Sequence, residues 1–410
     1  MKYFLLLFLS IFYIQFGFCQ SIDWMKKANP KNLSINSVAF SNNGQKVISG
    51  TNCHPASIRV YDVSTGMLNW DYVVDSNYLC IMGVTFSSNS NFIAAIEEFG
   101  NIFIFDNTTA TPTLYNTINT GTSYGFSTAI SPSNLHIAVG CSNGKLKIYE
   151  IANGSNLVSV NAHTSWVTSV AYSADGKFIA TGGNDDKVKI WDSLGNLVHT
   201  LTGHINDITS VKFSPNNQLL ASASKDDLIK IWDVNSGALL KTITGHSNDV
   251  NCIDISPDGN KIVSVSSDST CKIWNISTGN LISSFGVKDS GVINAVAWSP
   301  LGNKIVTGNS LSDLILWSLP NALFLQEKQT VSTFNLYPNP AKDFIYLDKT
   351  LNVPNTKFNI YNNCGKVILS NKELQSINGK LDISRISDGI YYLEIIQPSN
   401  KISIPFMVKK

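Results

Sequence analysis

The chain has 410 residues, and 30 basic against 29 acidic side chains leave a formal net charge of +1. A nucleic-acid-binding protein usually carries a basic excess, so this balance argues against a general role in binding nucleic acid. The hydrophobic fraction of 43% excludes a chain that is disordered by composition. The low charged fraction of 14%, together with abundant turn-forming residues, favours a β-rich protein.

The N-terminus has the pattern of a secretory signal peptide. Lys2 precedes an apolar run over residues 3–14, and two small residues, the second of them Cys19, stand where a signal peptidase prefers them. We therefore expect residues 1–19 to be removed by cleavage before Gln20. The apolar run is shorter than the about 20 residues of a membrane span, so we expect no transmembrane segment in the mature chain. Lipidation of Cys19 is the less favoured alternative, because a bulky Phe precedes it.

The cysteines are spread irregularly along the chain. No CxxC occurs and no pair is closely spaced, so neither a zinc site nor a disulfide framework is indicated. We expect buried or isolated thiols and no bound metal. The seven residues are Cys19, Cys53, Cys80, Cys141, Cys252, Cys271 and Cys364.

Two short motifs recur with one period. Six repeats separate Phe40 from Trp298, which gives a period of 43 residues. The first motif is an apolar strand that ends in Ser, and the second ends in an aromatic residue followed by a polar one. Between them, short alternating strands are separated by turn clusters, so each unit has the four strands of a propeller blade. The aromatic residues of the second motif are Tyr61, Phe105, Tyr149, Trp191, Trp232, Trp274 and Trp317.

Residues 35–320 resemble a WD-repeat β-propeller with seven blades. The resemblance is carried by the dipeptides Gly203-His204 and Gly245-His246 at the starts of units, and by Trp191-Asp192 and Trp232-Asp233 at the ends of third strands. Units one, two, three and seven lack the His and have altered dipeptides. The resemblance implies an all-β fold whose ring is closed by an N-terminal strand. Two segments compete for that role, Ile22–Lys27 and Leu323–Glu327.

A Ser/Thr-His-Asp set occurs three times at equivalent repeat positions. A catalytic triad is normally singular, and no GxSxG elbow is present, so we interpret the sets as structural hydrogen-bond chains that end on the Trp. No Walker loop, HExxH or GxGxxG motif occurs, and we expect no catalytic residue and no cofactor. The three tetrads are His163, Thr181, Asp185 and Trp191; His204, Ser222, Asp226 and Trp232; and His246, Ser264, Asp268 and Trp274.

The resemblance implies that partners bind the face that carries the loops before each first strand. One position, three residues after the His, can be followed round the ring. Exposed aromatic side chains beside a charge are typical of interface hot spots. We therefore expect a partner-binding face at Tyr124, Trp166, Asp207 and Asp249, centred on the two aromatic residues. The full register is Ser34, Cys80, Tyr124, Trp166, Asp207, Asp249 and Val292.

The repeats stop after Pro320, and residues 321–333 read as a linker. Residues 334–410 carry a pattern of about seven short strands with Gly and Asn turns, which predicts a small Ig-like β-sandwich. Its motifs, YPNP, GKV, DGIYYLEI and a terminal Lys pair, resemble the type A C-terminal sorting domain of type IX secretion substrates (the Por domain). The resemblance implies a Bacteroidota source and export through the periplasm. An adhesive module retained in the mature protein is the alternative.

These patterns together favour a secreted or cell-surface-attached, non-enzymatic scaffold. It would bind a protein or glycan partner through a propeller face, and the type IX machinery through residues 334–410. The released form and a form attached to lipopolysaccharide both stay open. A structural component of the cell envelope and a propeller hydrolase or lyase are the alternatives. The last would need a convergent set of unpaired carboxylates, His or metal ligands in the channel, which the sequence does not show.

Overall fold

The structure of the protein is a computed structural model. It describes residues 20–28, 33–52, 56–74, 80–121, 124–287 and 291–319, and in the C-terminal region 336–337, 341–347, 357–362, 367–370, 380–397 and 400–410. The predicted signal peptide and linker lie outside these ranges. Within the described residues every regular element is a β-strand, which confirms the predicted all-β class. No helix in this part of the chain is long and apolar enough to cross a membrane.

Seven four-stranded antiparallel sheets form the N-terminal region. Their strands are β1 (Ser21–Lys27), β2 (Ile35–Phe40), β3 (Lys46–Thr51), β4 (Ser57–Asp62), β5 (Leu68–Val73), β6 (Ile81–Phe86), β7 (Phe92–Glu97), β8 (Asn101–Asp106), β9 (Thr113–Asn119), β10 (Gly125–Ile130), β11 (His136–Cys141), β12 (Lys145–Glu150), β13 (Asn156–Asn161), β14 (Val167–Tyr172), β15 (Phe178–Gly183), β16 (Val188–Asp192), β17 (Leu197–Leu201), β18 (Ile208–Phe213), β19 (Leu219–Ser224), β20 (Ile229–Asp233), β21 (Leu239–Ile243), β22 (Val250–Ile255), β23 (Lys261–Ser266), β24 (Cys271–Asn275), β25 (Leu281–Phe285), β26 (Ile293–Trp298), β27 (Lys304–Asn309) and β28 (Asp313–Ser318).

The sheets are arranged as the blades of a propeller. Blade 1 consists of β2 to β5, and blades 2 to 6 follow in groups of four strands up to β25. The first strand of each blade contacts the first strand of the next, and β26 of blade 7 contacts β2 of blade 1. The contacts therefore close into a ring around a central channel.

The second strand of each blade is buried at every position except its first. Small residues there let neighbouring blades approach closely. A Cβ atom added at Gly182 would lie 2.4 Å from the Ile208 side chain of the next blade, and one at Gly308 would lie 2.4 Å from Ile35. The core is thus a series of layers between adjacent blades, whereas the fourth strands lie at the exposed perimeter.

Blade 7 is completed by the N-terminal strand. β1 pairs antiparallel with β28, from Ser21 opposite Ser318 to Lys27 opposite Asp313. Lys27 Nζ also lies 2.8 Å from Asp313 Oδ1. The segment that begins at Ile22 therefore occupies the outer position of blade 7. Its competitor, residues 323–327, lies outside the described residues.

Seven further strands form two sheets in the described C-terminal residues, and buried side chains of both belong to one apolar cluster. This packing of two sheets on one core is that of a β-sandwich. The first sheet has the order β29-β30-β33 and the second β32-β31-β34-β35, where the strands are β29 (Leu336–Tyr337), β30 (Phe344–Leu347), β31 (Lys357–Asn362), β32 (Val367–Leu369), β33 (Lys380–Asp382), β34 (Gly389–Gln397) and β35 (Asn400–Val408).

Candidate binding face and its supporting network

Each predicted tetrad comes together as a continuous hydrogen-bond chain. In blade 5 the indole of Trp232 donates to Ser222 Oγ at 2.8 Å, Ser222 Oγ lies 2.8 Å from His204 Nε2, and His204 Nδ1 lies 2.8 Å from Asp226 Oδ2. The same links in the other two tetrads are 2.9, 2.8 and 2.7 Å for Trp191, Thr181, His163 and Asp185, and 2.8, 2.7 and 2.8 Å for Trp274, Ser264, His246 and Asp268.

The direction of donation is fixed by the ends of the chain. The indole of Trp232 can only donate, so the Ser222 hydroxyl accepts from it and donates to His204 Nε2. Nδ1–H of His204 then donates to the Asp226 carboxylate. The neutral tautomer protonated on Nδ1 is assigned by this network. Every polar atom along the path is therefore satisfied, which is what a buried network requires.

The electrostatics of the tetrads agree with a neutral imidazole and an ionised carboxylate. Burial lowers the pKa of His163 and of His246, against the opposing effect of their Asp partners. Burial acts to raise the pKa of Asp226, but the interactions with His204 and the backbone hydrogen bonds from Ile205 and Leu228 together lower it. The pKa of Asp185 is lowered in the same way.

The tetrad hydroxyl is not an accessible nucleophile. Thr181, Ser222 and Ser264 are fully buried, and each is held between an indole and an imidazole. Their Asp partners also accept bonds from the backbone, as Asp226 does from Ile205 and Leu228. These contacts tie the turn before the first strand to the turn between the second and third strands.

Blade 2 fixes the equivalent turn differently. Glu97, fully buried at the end of β7, accepts hydrogen bonds from the backbone N–H of Phe99 and of Asn101, each at 3.0 Å. The carboxylate thereby orders the turn that carries Phe99. This arrangement was not predicted, because the blade lacks the His and Asp of the repeat.

The predicted rim register is held in place by one recurring backbone bond. In each blade the carbonyl of the register residue accepts from an N–H in or beside the turn that joins the second and third strands. For example, the N–H of Ser142 donates to the Tyr124 carbonyl at 3.0 Å, and the N–H of Asn184 donates to the Trp166 carbonyl at 2.9 Å. The donors to Ser34, Cys80, Asp207, Asp249 and Val292 are Asn52, Glu98, Lys225, Ser267 and Ser310.

Four aromatic rings form a stacked row, the aromatic ladder, across blades 2 to 4. Centroid separations are 5.9 Å between Phe99 and Tyr124, 6.4 Å between Tyr124 and Phe126, and 4.9 Å between Phe126 and Trp166. The angles between ring planes are 30°, 20° and 21°. Exposed fractions are 47% for Phe99, 38% for Tyr124 and 45% for Trp166. The two aromatic residues of the predicted face are thus joined by two that the sequence analysis did not single out.

The two predicted acids lie in the neighbouring blades. Asp207 of blade 5 forms an ion pair with Lys225 at 3.0 Å. In blade 6, the backbone N–H of Asp249 donates a hydrogen bond to Asn248 Oδ1 at 2.8 Å. Acidic side chains are concentrated in this region. The pKa of Asp227 is raised by burial and by the negative charges of its neighbours, which are Asp249, Asp226 and Asp268. One rim therefore has an aromatic part and an acidic part.

A belt of side-chain hydrogen bonds joins the first strands around the channel. The residue two positions after the rim register donates to the backbone carbonyl at the start of the next blade's first strand. Five blades use Asn or Thr, but blades 2 and 3 have Met82 and Phe126, whose side chains cannot donate. The donor and acceptor pairs are Asn36 to Ile81, Thr168 to Ile208, Thr209 to Val250, Asn251 to Ile293 and Asn294 to Ile35.

The central channel encloses a cavity of about 490 Å³. Its one close charged pair, among the described residues, is Lys212 with Asp254 at 3.8 Å. Asp254 is further bonded to the backbone N–H of Trp298 at 2.8 Å and of Ile255 at 3.0 Å. No group of three or more His, Cys, Asp or Glu in the described part of the chain is placed to hold a metal ion. The channel lining combines apolar side chains, such as Met82 and Phe126, with Ser, Thr and Asn residues.

The expectation of isolated thiols is wrong for Cys80, which is disulfide-bonded. Cys141, Cys252 and Cys271 form no disulfide, as expected. The remaining cysteines, Cys19, Cys53 and Cys364, lie outside the described residues.

Some contributors to this face were missed by the sequence analysis. Phe126 stands two residues after Tyr124, so the belt register could have been followed in the same way as the rim register. Phe99 occupies a turn position at which blades 4 to 6 carry Asp, and only the three-dimensional contact with Tyr124 identifies it. Neither residue belongs to the repeat motif.

Comparison with known families agrees with these observations. Five stretches match the family model described as "WD domain, G-beta repeat", at residues 27–62, 154–192, 195–233, 237–275 and 279–318. One stretch, residues 335–409, matches the model described as "Secretion system C-terminal sorting domain". A search of the curated proteins finds none similar to the chain. The chain therefore contains WD repeats followed by a sorting domain of the type IX secretion system, which indicates secretion to the cell surface or the extracellular space.

Proposed function

We propose that the protein is an exported, non-enzymatic binding module that captures a partner on the rim that carries the aromatic ladder. The signal peptide of residues 1–19 would be cleaved, and residues 20–320 would form the seven-bladed binding domain. Residues 321–333 would link it to the sorting domain of residues 334–410. The Bacteroidota source follows from that domain.

The observation that carries the binding role is the exposure of the ladder. Trp166 is 45% exposed and stacks on Phe126, so a large rigid indole is presented to solvent without being part of the core. Rigid aromatic side chains with few rotatable bonds lose little entropy on binding, which is why they dominate interface energetics. The hydrogen bond from the Asn184 N–H to the Trp166 carbonyl also holds the backbone of Trp166 in place before a partner binds, which lowers the entropy cost of binding.

The non-enzymatic role is supported by the chemistry of the tetrads and the channel. The three tetrads are buried and fully bonded, so they are better suited to holding blades than to reacting with a substrate. Lys212 and Asp254 in the channel are paired with each other.

Site-specific photo-crosslinking tests the proposed face. A photoreactive amino acid placed at Trp166 should link the exported chain to a component of the cell surface, whereas the same group at Tyr115, an exposed aromatic residue of β9 on the perimeter, should not. Equal labelling from both positions would contradict a face centred on the ladder.

Export is tested by deletion of residues 334–410. The truncated chain should accumulate in the periplasm, and fractionation with immunodetection would show it there. Normal delivery of this truncation to the cell surface or medium would contradict the role of the sorting domain.

A further inference from the structure

The aromatic ladder interrupts the hydrogen-bond belt of the channel. Five blades place Asn or Thr at the belt position and bond the next blade, but blade 3 places Phe126 there. The position therefore loses a contact between blades and gains a ring that stacks between Tyr124 and Trp166. Residues 63–153, which include blade 2 and strands β10 to β12 of blade 3, also lie outside the stretches that match the WD repeat. Three of the four ladder residues, Phe99, Tyr124 and Phe126, lie in this segment.

The stacking leaves the Trp166 side chain accessible to solvent. Phe126 stacks on the indole, with centroids 4.9 Å apart and ring planes 21° from parallel. Trp166 is nevertheless 45% exposed, so part of its surface is open to a ligand. The next residue at the same rim register is Asp207 of blade 5. The exposed indole is thus followed along the rim, in the next blade, by a polar group.

That polar group is a partly exposed ion pair. Asp207 Oδ2 lies 3.0 Å from Lys225 Nζ, with the side chains 23% and 45% exposed. Asn206 lies beside it, and its amide donates to the Lys225 carbonyl at 3.2 Å. The pair offers a hydrogen-bond acceptor and a donor next to each other, while its charges compensate one another.

We propose that the exposed surface of Trp166, with Asp207 and Lys225 of the next blade, is a subsite for a neutral pyranose unit of a glycan. This proposal rests on the proposed binding function and names the class of ligand. A pyranose has one face of C–H groups that stacks on an aromatic ring, and hydroxyl groups around its edge that bond to carboxylate and ammonium groups. The flat indole and the ion pair at the next rim position match these two features.

Charge favours a neutral glycan over an anionic one. The ion pair compensates the charge of Asp207, but Asp227 and Asp249 remain on the same side of the rim, where the pKa of Asp227 is raised by burial and by its acidic neighbours. A sulfated or uronate chain would be repelled there. An anchoring side chain of a protein partner would bind more tightly in a concave apolar pocket than on a flat ring beside an ion pair.

Affinity electrophoresis with defined polysaccharides tests the proposal. The chain from Gln20 to Lys410 is run in gels containing the neutral polymers laminarin, mannan and dextran, and in gels containing the anionic polymer alginate. We expect at least one neutral polymer to retard the protein and alginate not to. Trp166→Ala and Phe126→Asn should each weaken the retarding interaction at least tenfold, and Tyr115→Ala should leave it unchanged.

The Phe126→Asn variant separates binding from stability. Asn is a belt residue in three other blades, so the melting temperature of this variant should be equal to or higher than that of the parent chain while binding is lost. The glycan proposal is overturned if no neutral polymer retards the parent chain, or if a neutral polymer retards Trp166→Ala as strongly as the parent chain. If crosslinking at Trp166 then labels a surface protein, the proposed binding function stands without it; if crosslinking also fails, both fall.

Discussion

His204 Nδ1 lies 2.8 Å from Asp226 Oδ2, and both side chains are only 1% exposed. The pair is the outer link of a chain that continues through Ser222 to Trp232 inside blade 5. A polar chain in such a position stabilises the blade only while every member has its partner. The first two predictions follow from this dependence.

Replacement of His204 by Ala should destabilise the propeller by about 2 to 3 kcal/mol, because it leaves the buried Ser222 hydroxyl and Asp226 carboxylate each short of a partner. Urea denaturation followed by tryptophan fluorescence measures the free energy of unfolding. The matched control is His199→Ala, since His199 makes one exposed bond to the Asn235 carbonyl at 2.9 Å. A His204→Ala variant as stable as this control would contradict the structural role.

Stability should fall in two steps as the pH is lowered. The pKa of His163 and of His246 is lowered from 6.5 in the folded state, so the unfolded chain takes up protons first and stability begins to fall below about pH 6.5. The pKa values of Asp185, Asp226 and Asp268 are lowered from 3.8, so their contribution is present above that pH and is lost below it.

Urea midpoints measured between pH 8 and pH 5 test the upper step. The decrease over this range should be smaller in the His246→Gln variant, which removes one of the two titrating groups. An increase in stability on going from pH 8 to pH 5 would show that these imidazoles are charged in the folded protein, contrary to the assigned tautomer.

Removal of residues 20–27 should open the propeller. The deletion uncovers the edge of β28, which β1 pairs along its length, and removes the bond from the Trp24 indole to the Val63 carbonyl at 2.9 Å. An unpaired edge favours association between chains. We expect a lower melting temperature and concentration-dependent association on size-exclusion chromatography.

A synthetic peptide of residues 20–28 added in excess should restore the monomer and raise the melting temperature of this deletion, whereas a peptide of scrambled order should not. A deletion variant that remains monomeric with an unchanged melting temperature would contradict the closing role of β1.

The disulfide at Cys80 should stabilise the oxidised chain by about 2 to 4 kcal/mol relative to Cys80→Ser. Alkylation of the denatured protein before and after reduction, followed by peptide mass mapping, identifies the pair. Because Cys141, Cys252 and Cys271 are not disulfide-bonded and Cys19 would leave with the signal peptide, the partner in the mature chain is sought between Cys53 and Cys364. Cys252→Ala is the control that should leave the linkage intact, and alkylation of Cys80 without reduction would contradict it.

The repeat period was sufficient to predict the all-β propeller, because the two motifs mark the first and third strands of each blade and the turns between them. It also brought together Trp232, Ser222, His204 and Asp226, since residues at fixed offsets in a repeat occupy fixed places in a blade. The period could not predict Phe99 stacking on Tyr124, because that contact joins two blades through side chains outside the motif. The same holds for the buried Glu97, which orders a turn in a blade without the His and Asp.

Binding to intact cells is the decisive test of the proposal that the exported chain captures its partner through the aromatic ladder. Labelled parent chain, Trp166→Ala and Tyr115→Ala are incubated with cells that lack the protein, and the bound fraction is measured together with each melting temperature. We expect at least tenfold less binding for Trp166→Ala at an unchanged melting temperature, and parental binding for Tyr115→Ala. Equal binding of all three chains would contradict capture through the ladder.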